Sequence, residues 1–129
     1  MRQARAWFGR EFNPTTFEEF SRLSTGENNA WFRMVVGYWD MAASLVTFGA
    51  IDPKMFCASN GEIVVAFAKV EPFLAELRQQ RKAPEFFQHV EKVVQMFPGA
   101  ADRLPQIREQ FLAMARALRN TGSGVASGQ

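Results

Sequence analysis

From Asn28 to Phe48 the chain reads NNAWFRMVVGYWDMAASLVTF, and at helical spacing it is apolar in nearly every direction. At ~3.6 residues per turn, Arg33, Gly37, Asp40, Ser44 and Thr47 stack at steps of four, three, four and three into one narrow polar stripe. Trp31, Phe32, Met34, Val35, Val36, Tyr38, Trp39, Met41, Leu45, Val46 and Phe48 fill the remaining directions. That pattern predicts a helix buried on most of its circumference, with the other segments built round it. A membrane span would also need about 20 apolar residues, but Asp40 in mid-segment, at roughly 2.5–3.5 kcal/mol on insertion scales, argues against one.

The flanking segments follow helical periods as well. Ala4, Trp7, Phe8 and Phe12 share one side of residues 2–12. After the Asn13-Pro14 break, Thr15 and Glu18 have capping-box spacing for a helix carrying Phe17, Phe20 and Leu23. Gly26 ends it, Asn28 or Asn29 caps the central helix, and Gly49 suits the left-handed turn beyond its end. Asp52 before Pro53 predicts a short helix with Met55 and Phe56 inward. Ser59 and Glu62 form a second box, opening a helix whose Ile63, Phe67, Val70, Leu74 and Leu77 make a core stripe and whose Glu62, Lys69 and Glu76 read as its exposed face. Pro72 should kink it near Ala68 or break it there. Pro84 starts a helix with Phe86, Phe87, Val90, Val93, Val94 and Phe97 on its apolar face. Asp102 caps a last one, with Pro105 in its tolerated first turn and Leu104, Ile107, Phe111, Met114 and Leu118 inward. The expected fold is therefore all-α, a single-domain bundle of five or six helices over residues 1–120, with 1–13 a loose arm or a docked helix and 121–129 a disordered tail.

Composition narrows the class without naming an activity. At 129 residues and 47% hydrophobic content, one domain can bury most of its apolar surface without staples. The single Cys57 forms no internal disulfide, so the chain needs no oxidising compartment, and a cytoplasmic setting follows. A net charge of +2 gives no strong field for nucleic acid.

The order YWDMAASLVTFGAID, a short helix, then VEPFLAELRQQRKAPEFFQHVEKV, over residues 37–94, resembles a group of small bacterial all-helical proteins of unassigned function. The matching positions are Tyr38, Trp39 and Asp40, then Gly49, Ile51 and Asp52, and later Pro72, Phe73 and Arg78. These are turns and core residues, so the resemblance implies a helical architecture and no activity.

Candidate chemistry is sparse. His89, the sole histidine, reads as a surface pair with Glu85 four residues before it, and one His with one Cys cannot assemble a zinc set. A Cys57 nucleophile would need His89 beside it; a packed thiol is the plainer reading. Asp40 on an apolar helix needs a partner or water. Arg33 is about 10 Å away along the helix, so Arg78 is the candidate partner. Arg33, Asp40, Ser44 and Arg78 are thus the candidate polar pocket or interface, and Arg2, Arg5 and Arg10 the candidate contact with an anionic surface. No catalytic, cofactor or metal residue is indicated. The leading expectation is a non-catalytic interaction or homodimerisation module. The alternatives are a binder of a small apolar ligand in an aromatic-lined pocket near Asp40 and Arg33, and a weak membrane-surface or nucleic-acid binder through the basic arm.

Overall fold

The computed structural model describes the backbone of residues 1–127, with side chains up to Ala117 and that of Asn120. Eight α-helical segments follow one another: α1 (Arg2–Arg10), α2 (Phe17–Thr25), α3 (Asn29–Thr47), α4 (Pro53–Ser59), α5 (Glu62–Val70), α6 (Leu74–Arg81), α7 (Gln88–Val94) and α8 (Ala100–Ser127), with a single 3₁₀ turn, Glu71–Phe73, joining α5 to α6. Taken as one bent rod, α5 and α6 leave seven helices, a little above the five or six expected. The arrangement is all-α throughout the described residues. The expected tail, 121–129, carries no described side chain, and residues 128 and 129 lie outside the described residues.

Helix starts follow local side-chain chemistry where it is available. Thr16 caps α2, its Oγ1 accepting from Glu19 N at 3.1 Å while Glu19 Oε1 accepts from Thr15 N at 2.8 Å. The box thus sits one residue later than its Thr15–Glu18 spelling. Asp52 Oδ1 accepts from Lys54 N at 2.8 Å and Met55 N at 3.2 Å, with Pro53 first in α4 as expected. The Ser59–Glu62 box does not form; Gly61 precedes α5, and Glu62 turns instead to Arg5 on α1, at 2.6 Å. Gly49 closes α3 at φ +85, the left-handed region where a glycine carries no Cβ penalty.

α3 is the organising helix, in contact with α1, α2 and α7, while α5 packs on α7 and α8. Its burial is narrower than the expected enclosure on most sides. Phe32, Val35, Val36, Trp39, Ala43 and Val46 are buried, but Met34, Tyr38, Met41, Leu45 and Phe48 keep 40–80% of their surface open. Enclosure on most sides belongs to α5, where Ile63, Val64, Ala66, Phe67, Ala68, Lys69 and Val70 are all buried. The arm is a packed helix, with Ala4, Trp7 and Phe8 in the core. Phe12, fully enclosed, is the aromatic hub, its ring 4.9–5.5 Å from those of Trp7, Phe8, Phe20 and Phe32.

Three other expectations shift for local reasons. Met55 is exposed and only Phe56 of that pair enters the core. The helix expected from Pro84 begins at Gln88, because Phe87 takes a left-handed φ of +62 that no right-handed helix can include. α8 begins at Ala100, after Gly99 at φ +68, which puts Pro105 inside the helix and leaves Met114 exposed; Leu118 lies outside the described side chains.

Pro72 does bend its rod, and the bend is used. Proline lacks the N–H that would bond the carbonyl four residues back. That carbonyl, Ala68 O, instead accepts from Arg108 Nε of α8 at 3.2 Å, and the same guanidinium pairs with the Glu71 carboxylate. The kink therefore docks α8. Replacing Arg108 by Met should cost about 1.5–3 kcal/mol, the range for bonds to a charged group. In a Pro72→Ala background the restored backbone N–H can take over Ala68 O, so the cost should fall by about 1 kcal/mol in a denaturant double-mutant cycle. Equal costs in the two backgrounds would disprove the link.

Candidate functional site

The four polar residues singled out on α3 and α6 do not converge on a pocket. Asp40, half-buried, accepts from the backbone N–H groups of His89 and Val90 through Oδ1, both at 3.1 Å. These are first-turn donors of α7, whose own N-cap, Phe87, supplies no side-chain acceptor. Asp40 is the missing cap, delivered from another helix, and its negative charge suits a helix N-terminus. Thr47, further along the stripe, bonds His89 Nδ1 through its hydroxyl at 2.8 Å. The Ser44 hydroxyl returns to Met41 O of its own helix at 2.6 Å.

Arg78 serves the same region separately. Its Nε donates to Phe86 O at 2.9 Å and its Nη2 to Glu91 Oε1 at 3.1 Å, which fastens α6 to the start and middle of α7. Arg33 is exposed and has no ion-pair partner among the described residues. The partner expected for Asp40 is thus backbone rather than arginine. Asp40 and Thr47 of the polar stripe meet the neighbouring helix, Arg33 and Gly37 stay exposed, and a second apolar line, from Met34 to Phe48, faces out.

Lys69, expected at the surface, is 2% exposed, because α8 crosses over it. Its Nζ donates to Phe8 O at 2.7 Å and Gly9 O at 3.1 Å and lies 5.3 and 5.2 Å from the ring centres of Phe8 and Phe111. The last four carbonyls of α1 are thereby all occupied. Trp7 O takes Glu11 N and Phe12 N, at 2.8 and 3.2 Å, Phe8 and Gly9 take Lys69, and Arg10 O takes Asn13 Nδ2 at 3.0 Å. Carbonyls at a helix C-terminus favour a cation there. Among the described residues no carboxylate pairs with the buried charge, and desolvation pushes the Lys69 pKa down from 10.5 to about 8.

The remaining candidates are quieter. Burial raises the Cys57 pKa, which disfavours its thiolate, and His89 is engaged with Thr47 rather than with Glu85 or Cys57. Among the described residues no three His, Cys, Asp or Glu side chains are placed to hold a metal ion, and no helix is long and apolar enough to cross a membrane. Of the arm arginines, Arg5 is paired with Glu62, while Arg2 and Arg10 are exposed. An open cleft of about 910 Å³ lies against α1 and α2 and includes Arg10, Asn13, Arg22 and Trp31. None of Arg33, Asp40, Ser44 and Arg78 lines it.

A family model described as a domain of unknown function, DUF4760, matches residues 1–97. The chain belongs to this family. The match runs through α7 and stops before α8, and it agrees with the resemblance to helical proteins of unassigned function drawn from residues 37–94. No curated protein and no solved structure matches the chain.

What sequence reasoning missed is the direction of α3. Met34, Tyr38, Met41, Leu45 and Phe48 recur at steps of four, three, four and three, the same period as the buried Phe32, Val36, Trp39, Ala43 and Val46, and the Asp40 cap on α7, at the edge of the buried side, favours the second line turning inward.

Two outcomes follow from the buried polar contacts. Asp40→Ala should destabilise the fold by about 1–2 kcal/mol and Asp40→Asn by much less, since Asn also accepts as an N-cap; chemical denaturation distinguishes them. For Lys69, the folded pKa of about 8 lies below the unfolded 10.5. Below about pH 8 both states hold the proton and the burial penalty is complete. Between the two values the unfolded state holds a proton that the folded state has released, so this residue's contribution to stability rises with pH, on the order of 3 kcal/mol across the window. The stability difference between the wild type and Lys69→Met, measured by urea unfolding from about pH 7.5 to 10.5, should therefore grow with pH in favour of the wild type. A difference independent of pH would contradict a buried ammonium without a carboxylate partner.

Proposed function

We propose that this chain is a non-catalytic protein–protein interaction module that works as a homodimer, with the exposed apolar stripe of α3 as its contact surface. The observation that carries the reading is that stripe: Met34, Tyr38, Met41, Leu45 and Phe48, all exposed, on one line along α3 and its C-cap. Steps of four and three are the seam of a helix pair, in which side chains of one helix enter the spaces of another. Scattered exposed hydrophobic residues need no explanation, whereas a contiguous patch of several hundred Å² stands at the upper end of what monomers leave open.

A second copy is the occupant that the chemistry favours. The seam holds no charged residue; Ala30, Gly37 and Ser44 flank it on one side, in line with the exposed Arg33, and Ala42 and the half-buried Trp31 flank it on the other. An uncharged ridge meets its own two-fold mate without like-charge conflict along the seam, and symmetric pairing is the commonest form of assembly. Gly37 adds an independent pointer. It stands exposed in mid-helix, where a Cβ would have open space, so nothing inside the chain requires a glycine. Glycine there costs the helix about 0.5–1 kcal/mol relative to alanine, and what it offers in return is close approach of another backbone. The free, partly buried Cys57 suits a reducing compartment, and we place the module in the cytoplasm on that ground.

Sedimentation equilibrium tests the reading. The wild type should dimerise, and Met41→Glu should weaken the dimer at least tenfold while leaving thermal stability unchanged, because Met41 is turned away from the core. Gly37→Ala should separate the two effects, stabilising the fold by about 0.5–1 kcal/mol while weakening association. A wild type that stays monomeric at high micromolar concentration, or a dimer indifferent to Met41→Glu, would overturn the proposal.

A further inference from the structure

Methionine is among the residue types most often buried, yet every methionine of this chain stands at the surface. Met1, Met34, Met41, Met55, Met96 and Met114 keep between 42% and 63% of their area open, while the buried hydrophobic residues are Phe, Trp, Val, Ala, Ile and Leu. Two of the six lie on the outward line of α3. Met34 and Met41 are seven residues apart there, and Met41 holds the middle place of the five.

A thioether on such a surface has a chemistry that the Leu and Phe beside it lack. Hydroperoxides oxidise it in one two-electron step. A sulfur lone pair takes one peroxide oxygen, the O–O bond breaks, and with hydrogen peroxide the other oxygen leaves as water carrying both hydrogens. The sulfoxide so formed is a strong hydrogen-bond acceptor and has gained no donor. On the free chain, water satisfies its oxygen. Between two copies it meets an apolar line with one side-chain donor, the Tyr38 hydroxyl, while the flanking Ser44 hydroxyl is committed to Met41 O. An acceptor enclosed there without a partner opposes association. The fold itself is untouched, because both side chains are turned away from the core. Cys57, the remaining sulfur, is half-buried, and burial disfavours its thiolate.

We propose that Met34 and Met41 are oxidation sites through which a hydroperoxide opens the α3 homodimer. Reduction closes it again: two thiols give up their hydrogens to carry the sulfoxide oxygen off as water, and they leave as a disulfide. The inference rests on the homodimer reading and supplies its regulation. Pairing should in turn shield the two sulfurs, with Met96 and Met114, comparably open and on other elements, as internal references.

The test treats the full-length chain with hydrogen peroxide and follows each methionine by peptide mass spectrometry, well above and well below the dissociation constant found by sedimentation. Met34 and Met41 should oxidise at least fivefold more slowly in the concentrated sample, with Met96 and Met114 unchanged. The oxidised chain should associate at least tenfold more weakly at an unaltered melting temperature, and a methionine sulfoxide reductase with dithiothreitol should restore it. A Met34→Leu/Met41→Leu chain, close to the wild type in volume, should dimerise and keep its dimer after the same treatment. An oxidised wild type that dimerises as the reduced one does, or a double variant that loses its dimer equally, would overturn the site and leave the homodimer standing. A wild type monomeric throughout would remove the interface, and the site with it.

Discussion

One carboxylate settles the orientation of this bundle. Asp40 sits where an ionised group on an apolar helix is costly, and its Oδ1 meets two backbone N–H groups at the start of α7 that have no acceptor of their own. Satisfying three polar groups at once outweighs the gain from turning a few more methylenes inward, because an unpaired buried donor or acceptor costs about 1–3 kcal/mol while a hydrophobic side chain left half open forfeits a fraction of its roughly 1.5–3 kcal/mol. Asp40 and Thr47 therefore point at a neighbouring helix, beside the buried line of Phe32, Val36, Trp39, Ala43 and Val46. The line from Met34 to Phe48 is presented to the outside, and the proposed interface is a consequence of that rotation.

The same physics recurs wherever a helix ends inside the bundle. Lys69 reaches two terminal carbonyls of α1, Asn13 a third, and Arg108 the carbonyl that Pro72 releases from α5. Long basic side chains act here as mobile donors that follow the acceptors left by helix ends and breaks, and each of their bonds joins two elements distant in sequence. Short helices need such closures more than long ones, since a larger share of their backbone groups lacks an intrahelical partner. Lys69 is the extreme case, because its charge is stripped of water and met by carbonyl dipoles and two aromatic faces.

Much of the fold was legible because helical periodicity and turn chemistry are local. The core stripe from Ile63 to Leu77, the Asp52-Pro53 start and the left-handed Gly49 all follow from residues within a turn or two of each other. What was not legible depended on contacts from far along the chain. The buried and the exposed apolar lines of α3 have the same spacing, and the capped amides that favour one over the other come about fifty residues later. Lys69 lies on a line with exposed Glu62 and Glu76, and its burial is due to α8. Phe87 in a left-handed conformation is invisible to propensity, which assigns that region to glycine and asparagine. The cleft beside Asn13 needed α1, α2, α3 and α8 to meet, and of its polar residues only Arg10 was a site candidate from the sequence.

The Asp40 cap is most directly read by amide hydrogen exchange at His89 and Val90. First-turn amides of a helix lack intrahelical acceptors and exchange quickly unless something else holds them. Slow exchange at these two positions in the wild type, lost in Asp40→Ala while the amides of α5 stay protected, is the result expected. Exchange at rates typical of open coil in the wild type would mean that α7 is not held by α3, and the outward stripe would lose its physical cause.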